Sequence, residues 1–130
     1  MQARTTLMLA AIAGFLGVAL GAFGAHGLKP LLSAPMMTVY QTAVDYHLLH
    51  AAVLLGLGVW QLHQPQVWLN RAALFMVAGL LLFCGSLYAM VLLDLRMLGM
   101  ITPIGGVSWL IGWGLLFIAA RSMTTSTSID

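Results

Sequence analysis

Polar residues interrupt this chain singly, and the apolar runs between them set its architecture. Stretches free of Asp, Glu, Lys and Arg cover residues 5–28, 46–70, 72–93 and 97–120, each long enough for the roughly 20 residues a membrane-crossing helix needs. Pro65, set among Gln61, His63, Gln64 and Gln66, marks a turn. The second helix therefore ends near Gln61 and begins near Thr38, which places Asp45 inside it. The predicted spans are about 5–28, 38–61, 70–93 and 101–121. Their connections, 29–37 with Pro30 and Pro35, 62–70 with Pro65, and 94–101, are short enough to make successive helices antiparallel neighbours. The expected fold is all-α: a single domain over residues 1–121 forming a four-transmembrane-helix antiparallel bundle, followed by a polar C-terminal tail, 122–130, that is expected to be disordered. The N-terminal run imitates a secretory signal, with Arg4 ahead of it, but is too long for one and reads as a mature first helix.

Composition agrees with the pattern. Of 130 residues, 62% are hydrophobic and 6% charged, against roughly 25% charged in soluble domains, which excludes a water-soluble globule. Five Lys or Arg against three Asp or Glu give a net charge of +2. The basic residues are scattered, so nucleic-acid binding has no footprint. A lone cysteine, Cys84, excludes an intrachain disulfide and a Cys-cluster metal site. Arg4, Arg71 and Arg121 fall on one side of the four-span layout and Lys29 and Arg96 on the other, so the positive-inside rule places both termini in the cytoplasm. Trp60 and Trp68 flank the second turn, where an aromatic belt would lie.

Counting at 1.5 Å per residue places His26 near the outer end of the first span and His47 and His50 roughly 13 to 18 Å below the outer start of the second. Ser86 and Tyr88 lie within about 11 Å of the outer end of the third span, and Gly105 and Gly106 within about 8 Å of the outer start of the fourth. The expectation is a polar core confined to one bilayer half. In the second helix Thr42, Tyr46 and His50 are four apart, with Tyr40, Ala43 and His47 on adjoining rows, making one broad face directed into the bundle. Gln41 and Asp45 lie on another side. A carboxylate in a span calls for a partner, and Lys29 and Arg96 are the candidates.

Ala13, Gly17, Gly21 and Ala25 recur every four residues in the first helix, with Gly14 and Gly24 beside them. Such a ridge lets another backbone approach closely, and self-association through it is expected. Thr102 and Pro103 read as a cap and a first-turn proline, and Gly85, Gly105 and Gly106 as packing glycines. Trp109 and Trp113 are four apart and lie too deep for an interface belt. They are expected to pack on another helix or to face lipid.

The strings Ala22-Phe-Gly-Ala-His-Gly-Leu28, Tyr40-Gln-Thr-Ala-Val-Asp-Tyr-His-Leu-Leu-His-Ala51, Phe83-Cys-Gly-Ser-Leu-Tyr88 and Leu98-Gly-Met-Ile-Thr-Pro-Ile-Gly-Gly106, with Gly112-Trp113, resemble those of the YgdD/YwdK-like small inner-membrane proteins, a domain-of-unknown-function family. The likeness runs over residues 7–120 in motif order. It implies a four-span plasma-membrane protein of bacterial type, with related small transmembrane proteins in eukaryotes and no established substrate, reaction or cofactor. The family motifs fall on His26, Tyr40, Tyr46, His47, His50, Gly85, Ser86, Tyr88, Thr102, Pro103, Gly105 and Gly106. Cys84 stands where the family commonly has Ser.

The chemistry of these residue types allows several readings. His26, His47 and His50 around one polar pocket would suit a proton carrier or solute site, whereas the same rings bonding across helices would hold together a bundle with no hydrophobic drive to associate in lipid. The second use is the more routine. A metal site on His47 and His50 lacks a fourth ligand, and bis-histidine haem needs opposing histidines that nothing else here marks, so no metal and no cofactor is expected. Ser86, His50 and Asp45 suggest a triad only on paper, because Asp45 sits about 140° around the helix from His50 and no nucleophile elbow is present. The chain is not expected to be an enzyme. The expected role is structural, assembly or interaction in the bacterial inner membrane, with the lipid bilayer and a homo-oligomer or another membrane protein as partners. The alternative is a small-solute or proton translocator using His26, His47 and His50.

Overall fold

The computed structural model describes residues 1–123. The tail expected over residues 122–130 falls outside that range from residue 124 on. Five α-helices build four spans: α1 (Ala3–Phe23), α2 (Ala34–His63), α3 (Val67–Gly79), α4 (Gly85–Leu92) and α5 (Thr102–Arg121). A π-helical turn, Gly24–Leu28, extends α1, and another, Leu80–Cys84, joins α3 to α4 into one continuous third span. The fold is an all-α, four-transmembrane-helix bundle. In hydrocarbon every backbone N–H and C=O must be bonded within the protein, which an apolar helix achieves alone. Phe15, Leu81, Leu110 and Phe117 are each more than two-thirds exposed and project where acyl chains would lie.

The helix boundaries follow local chemistry. α2 begins four residues earlier than its expected start at Thr38, because Ser33 caps it, its Oγ accepting from the Met36 N–H at 3.4 Å. Pro35 then sits in the first turn rather than in the loop, where its missing N–H and fixed φ cost nothing. Counted from Ala34, His47 and His50 lie about 20 and 24 Å along a helix about 45 Å long. That is deeper along α2 than a start at Thr38 implies, while Tyr88 lies four residues from the end of α4 and Thr102 opens α5, so the polar residues still gather toward that end of the bundle. α2 stops at His63, two residues before Pro65, and Gln66 restarts the chain in an extended conformation. At the end of α4, Asp94 takes φ 53°, a left-handed turn that Asp tolerates better than most residues. The chain then passes through a 3₁₀ turn, Arg96–Met100. Pro103 lies in the first turn of α5 as expected, but Thr102 does not cap it, since its hydroxyl meets Ser86 at 2.5 Å instead.

The helices pair as α1 with α2 and α3 with α5, and glycines set both contacts. Gly17 and Gly21 face α2: a Cβ on Gly17 would meet Leu48 at 2.7 Å and His47 at 3.2 Å, and one on Gly21 would meet Val44 at 3.2 Å. Gly24 lies against the Tyr40 ring. The small-residue ridge of α1 is therefore covered by α2, so it is not the free self-association surface the sequence suggested. On the other side Gly105 lies against the backbone of Phe83, whose Cα would stand 2.8 Å from an added Cβ. Gly85 and Gly106 were also expected to serve packing, but neither does. Nothing lies within 4 Å of a Cβ on Gly85, and only Phe83, at 3.9 Å, approaches one on Gly106.

Two buried clusters follow from these pairings. The larger joins Ala10, Leu54, Leu57, Leu69, Ala72, Ala73, Met76, Cys84, Trp109 and Ala119, and the smaller Leu28, Tyr40, Val44 and Val91. The glycine contacts predict a contrast. Gly105→Ala, which must displace main chain, lowers stability by about 1–3 kcal/mol, while Gly85→Ala changes it by no more than about 0.5 kcal/mol, both read by SDS or urea unfolding of the purified protein in micelles.

Candidate functional site

The expected polar face of α2 is real but divided, because α2 has neighbours on more than one side. His47 turns toward α1 and α4. Its Nε2 lies 2.7 Å from the Ala13 carbonyl, an acceptor only, so in the neutral ring Nε2 carries the proton. Nδ1 is then the acceptor, and the Tyr88 hydroxyl donates to it at 2.9 Å. Both nitrogens are used, and one buried ring ties three helices. Tyr40, fully buried, donates its hydroxyl to the Leu20 carbonyl on α1 and packs against Tyr88, ring centres 5.5 Å apart. Between α1 and the third span an apolar recess of about 260 Å³ opens over His47 and Tyr88, bordered by Leu9, Ile12, Leu16, Leu80, Cys84 and Gly85 among others. The Cys84 thiol donates to the Ala43 carbonyl on α2 at 3.4 Å.

His50 turns toward α5. Its Nδ1–H donates to the Tyr46 carbonyl at 2.9 Å, which leaves Nε2 as an acceptor, and the Trp113 indole N–H reaches it at 3.3 Å. The imidazole lies flat on Trp109, ring centres 3.7 Å apart and planes 4° apart. Trp109 is itself buried and donates its indole N–H to the Met76 carbonyl on α3 at 3.1 Å, while Ser108 donates to Phe75 at 2.8 Å. Phe83 and Tyr46 complete an aromatic group with Trp109, centred 4.7 and 5.9 Å from it.

The remaining candidates sit apart. His26 is exposed on the π turn that ends the first span, so the three histidines do not enclose one pocket. Among the described residues no group of three His, Cys, Asp or Glu could hold a metal. Asp45 is exposed, and its carboxylate accepts from the Gln41 amide one turn away at 2.9 Å, taking the place of the expected Lys29 or Arg96. Ser86 bonds Thr102 and the Phe83 carbonyl, so Ser86, His50 and Asp45 each have a different partner and form no triad. Thr42 bonds back to Thr38, and Tyr46 is 43% exposed rather than pointing into the core.

A second polar knot lies at the end of the bundle where α1 begins and α5 ends. The Gln61 amide donates to the Met1 carbonyl at 2.8 Å and to Asn70 at 3.0 Å, while its own buried oxygen is unpaired among the described residues. Gln66 reaches the Ala119 carbonyl at 3.3 Å. Sequence reasoning placed Gln61 in the turn and missed this knot. It also left Trp109 and Trp113 without partners, although their four-residue spacing opposite a helix bearing His50 was the available signal.

These contacts define a class before they define a member: a four-span integral membrane protein whose helices are bound by glycine approaches and by single polar bonds to main-chain carbonyls. The chain belongs to the protein family of unknown function DUF423, whose model matches residues 20–106. It is 42% identical over 120 residues to the UPF0382 inner membrane protein YgdD of Escherichia coli (strain K12), covering 92% of each chain. It is 41% identical over 113 residues to the UPF0382 membrane protein SAB0533 of Staphylococcus aureus (strain bovine RF122 / ET3-1), covering 87% of this chain and 92% of that one. No solved structure matches it.

The His47–Tyr88 bond can be measured directly. Tyr88→Phe keeps the ring and removes one hydrogen bond, so it costs about 0.5–1.5 kcal/mol. A double-mutant cycle with His47→Phe gives a coupling of about 0.6 kcal/mol, the average for such bonds in membrane bundles.

Proposed function

We propose that this protein is a non-catalytic scaffold of the bacterial inner membrane, acting in assembly or interaction, with both termini in the cytoplasm. The observation that carries this reading is His47. Its two nitrogens are bonded to α1 and α4 at 2.7 and 2.9 Å, so the residue best placed for proton traffic is spent on holding helices together. The separation of the histidines supports it further. His47 and His50 serve different neighbours of α2, and His26 lies at the end of the first span. Neither a hydrolytic nor a metal-assisted reaction finds three convergent groups among the described residues. The inner-membrane placement rests on the printed name of the relative in Escherichia coli, and the orientation on Arg4, Arg71 and Arg121 at the terminal end. The partner, a second copy or another membrane protein, meets the lipid-facing side chains, because the glycine ridge of α1 is already covered.

The competing reading is a small-solute or proton translocator, and one experiment separates the two. The protein is reconstituted into liposomes loaded with a pH-sensitive dye, alongside His47→Phe and His50→Phe. A scaffold gives no flux above protein-free liposomes, and His47→Phe lowers resistance to SDS unfolding. A parent flux that either variant abolishes while the bundle stays intact refutes the scaffold.

A further inference from the structure

We propose that the recess between α2 and α5, walled by Tyr46, His50, Phe83, Gly106, Trp109 and Trp113, binds a lipid-soluble, hydroxylated aromatic ring of the quinol class that enters from the bilayer. The recess measures about 490 Å³, within the roughly 300–1,000 Å³ of small-molecule sites. It opens sideways past Val107 and Leu110, 54% and 71% exposed. No residue bordering it carries a fixed charge, and all of them lie on the membrane-spanning segments. A charged guest would be costly there, so the guest is neutral.

The walls specify a flat one. The planes of Tyr46, His50 and Trp109 lie within 15° of one another, and the Tyr46 ring, beside the closely stacked His50–Trp109 pair and 43% exposed, offers its face to another ring, an arrangement aromatic pairs favour when offset. A hydrogen-bonding group is specified as well. With its proton committed to the Tyr46 carbonyl, His50 presents at Nε2 a lone pair that can only accept. The bond it receives there is long, 3.3 Å, from an indole that is 45% exposed. An O–H donor forms a shorter bond, typically about 2.7–2.8 Å, and displaces the indole. A bare acyl chain offers no such donor.

Gly106 supplies the independent observation. Glycine is the poorest helix former after proline, and a tight contact explains its presence at Gly105 but not at Gly85 or Gly106. At Gly106 no protein atom comes closer than 3.9 Å to the place of a Cβ, and the vacant volume belongs to the recess. Its lack of a side chain serves the cavity instead of the packing.

The test uses the full chain in phospholipid nanodiscs under anaerobic reducing conditions, titrated with decylubiquinol and with its bis-methyl ether while tryptophan emission is recorded. The expected result is a saturable change with the quinol and at least tenfold weaker binding of the ether, which keeps the ring and tail but has no O–H for His50. Gly106→Leu places a side chain in the recess, its Cβ 3.9 Å from the Phe83 ring, and abolishes the saturable phase while helicity and unfolding stay as in the parent. Non-saturating, partition-like quenching of the parent overturns the proposal. So does equal binding of quinol and ether, or unchanged saturation in a folded Gly106→Leu. Should that variant not fold, the comparison of quinol with ether on the parent protein decides alone.

Discussion

A side chain on one membrane helix reaches the main chain of the next most readily where the intervening surface is bare, and Gly17 provides that bare surface. His47 passes beside it to the Ala13 carbonyl, its ring carbon only 3.2 Å from where a Cβ would stand. Lipid tails are as apolar as leucine, so burying leucines against each other gives little drive for helices to meet. Close backbone approach and single hydrogen bonds must do it instead. The Gly17–His47 contact combines the two at one point, and Tyr88 extends it to the third span. On the far side of α2 the same combination recurs with other residues: Gly105 brings α5 onto Phe83, and Trp109 and Ser108 bond the Met76 and Phe75 carbonyls.

The π turn at Leu80–Cys84 makes these two halves compatible. A π turn holds one residue more than the α-helical turn it replaces, so the faces of the third span before and after it are rotated relative to a regular helix. Ahead of the turn, the Phe75 and Met76 carbonyls meet α5. Within it, Phe83 lies under Gly105 while Cys84 points to Ala43 on α2. Beyond it, Tyr88 meets His47. One span thereby serves α5, α2 and the α1–α2 pair in succession, and the divided polar face of α2 is the counterpart of that division.

How much of this could be read from residues alone depended on whether a signal was local. Span number, the turn at Pro65 and the early proline of α5 were legible because length, charge and proline chemistry are local. The start of α2 was misplaced because a proline reads alike in a loop and in a first turn until its cap is known. The π turns were illegible, since a run such as Leu80-Leu-Leu-Phe83 is apolar at every period. His47 and His50 share a face on a helical wheel, yet the roughly 60° between them is enough, on a helix with neighbours on both sides, to send them to different partners. Asp45 was assigned a distant cation because charge suggested one, whereas a glutamine one turn earlier was the nearer solution.

The bonds tying α1 to the bundle share a direction. His47, Tyr40 and Gln61, all on α2, donate to carbonyls of Ala13, Leu20 and Met1, and in these bonds α1 contributes no side-chain donor of its own. Its one buried hydroxyl, Thr6, bonds back to Gln2. Because α1 is synthesised before α2, it enters the membrane with its hydrogen bonds closed upon itself and can wait there without its partner. The second segment arrives carrying every clasp, so the hairpin locks only when synthesis has delivered its later half.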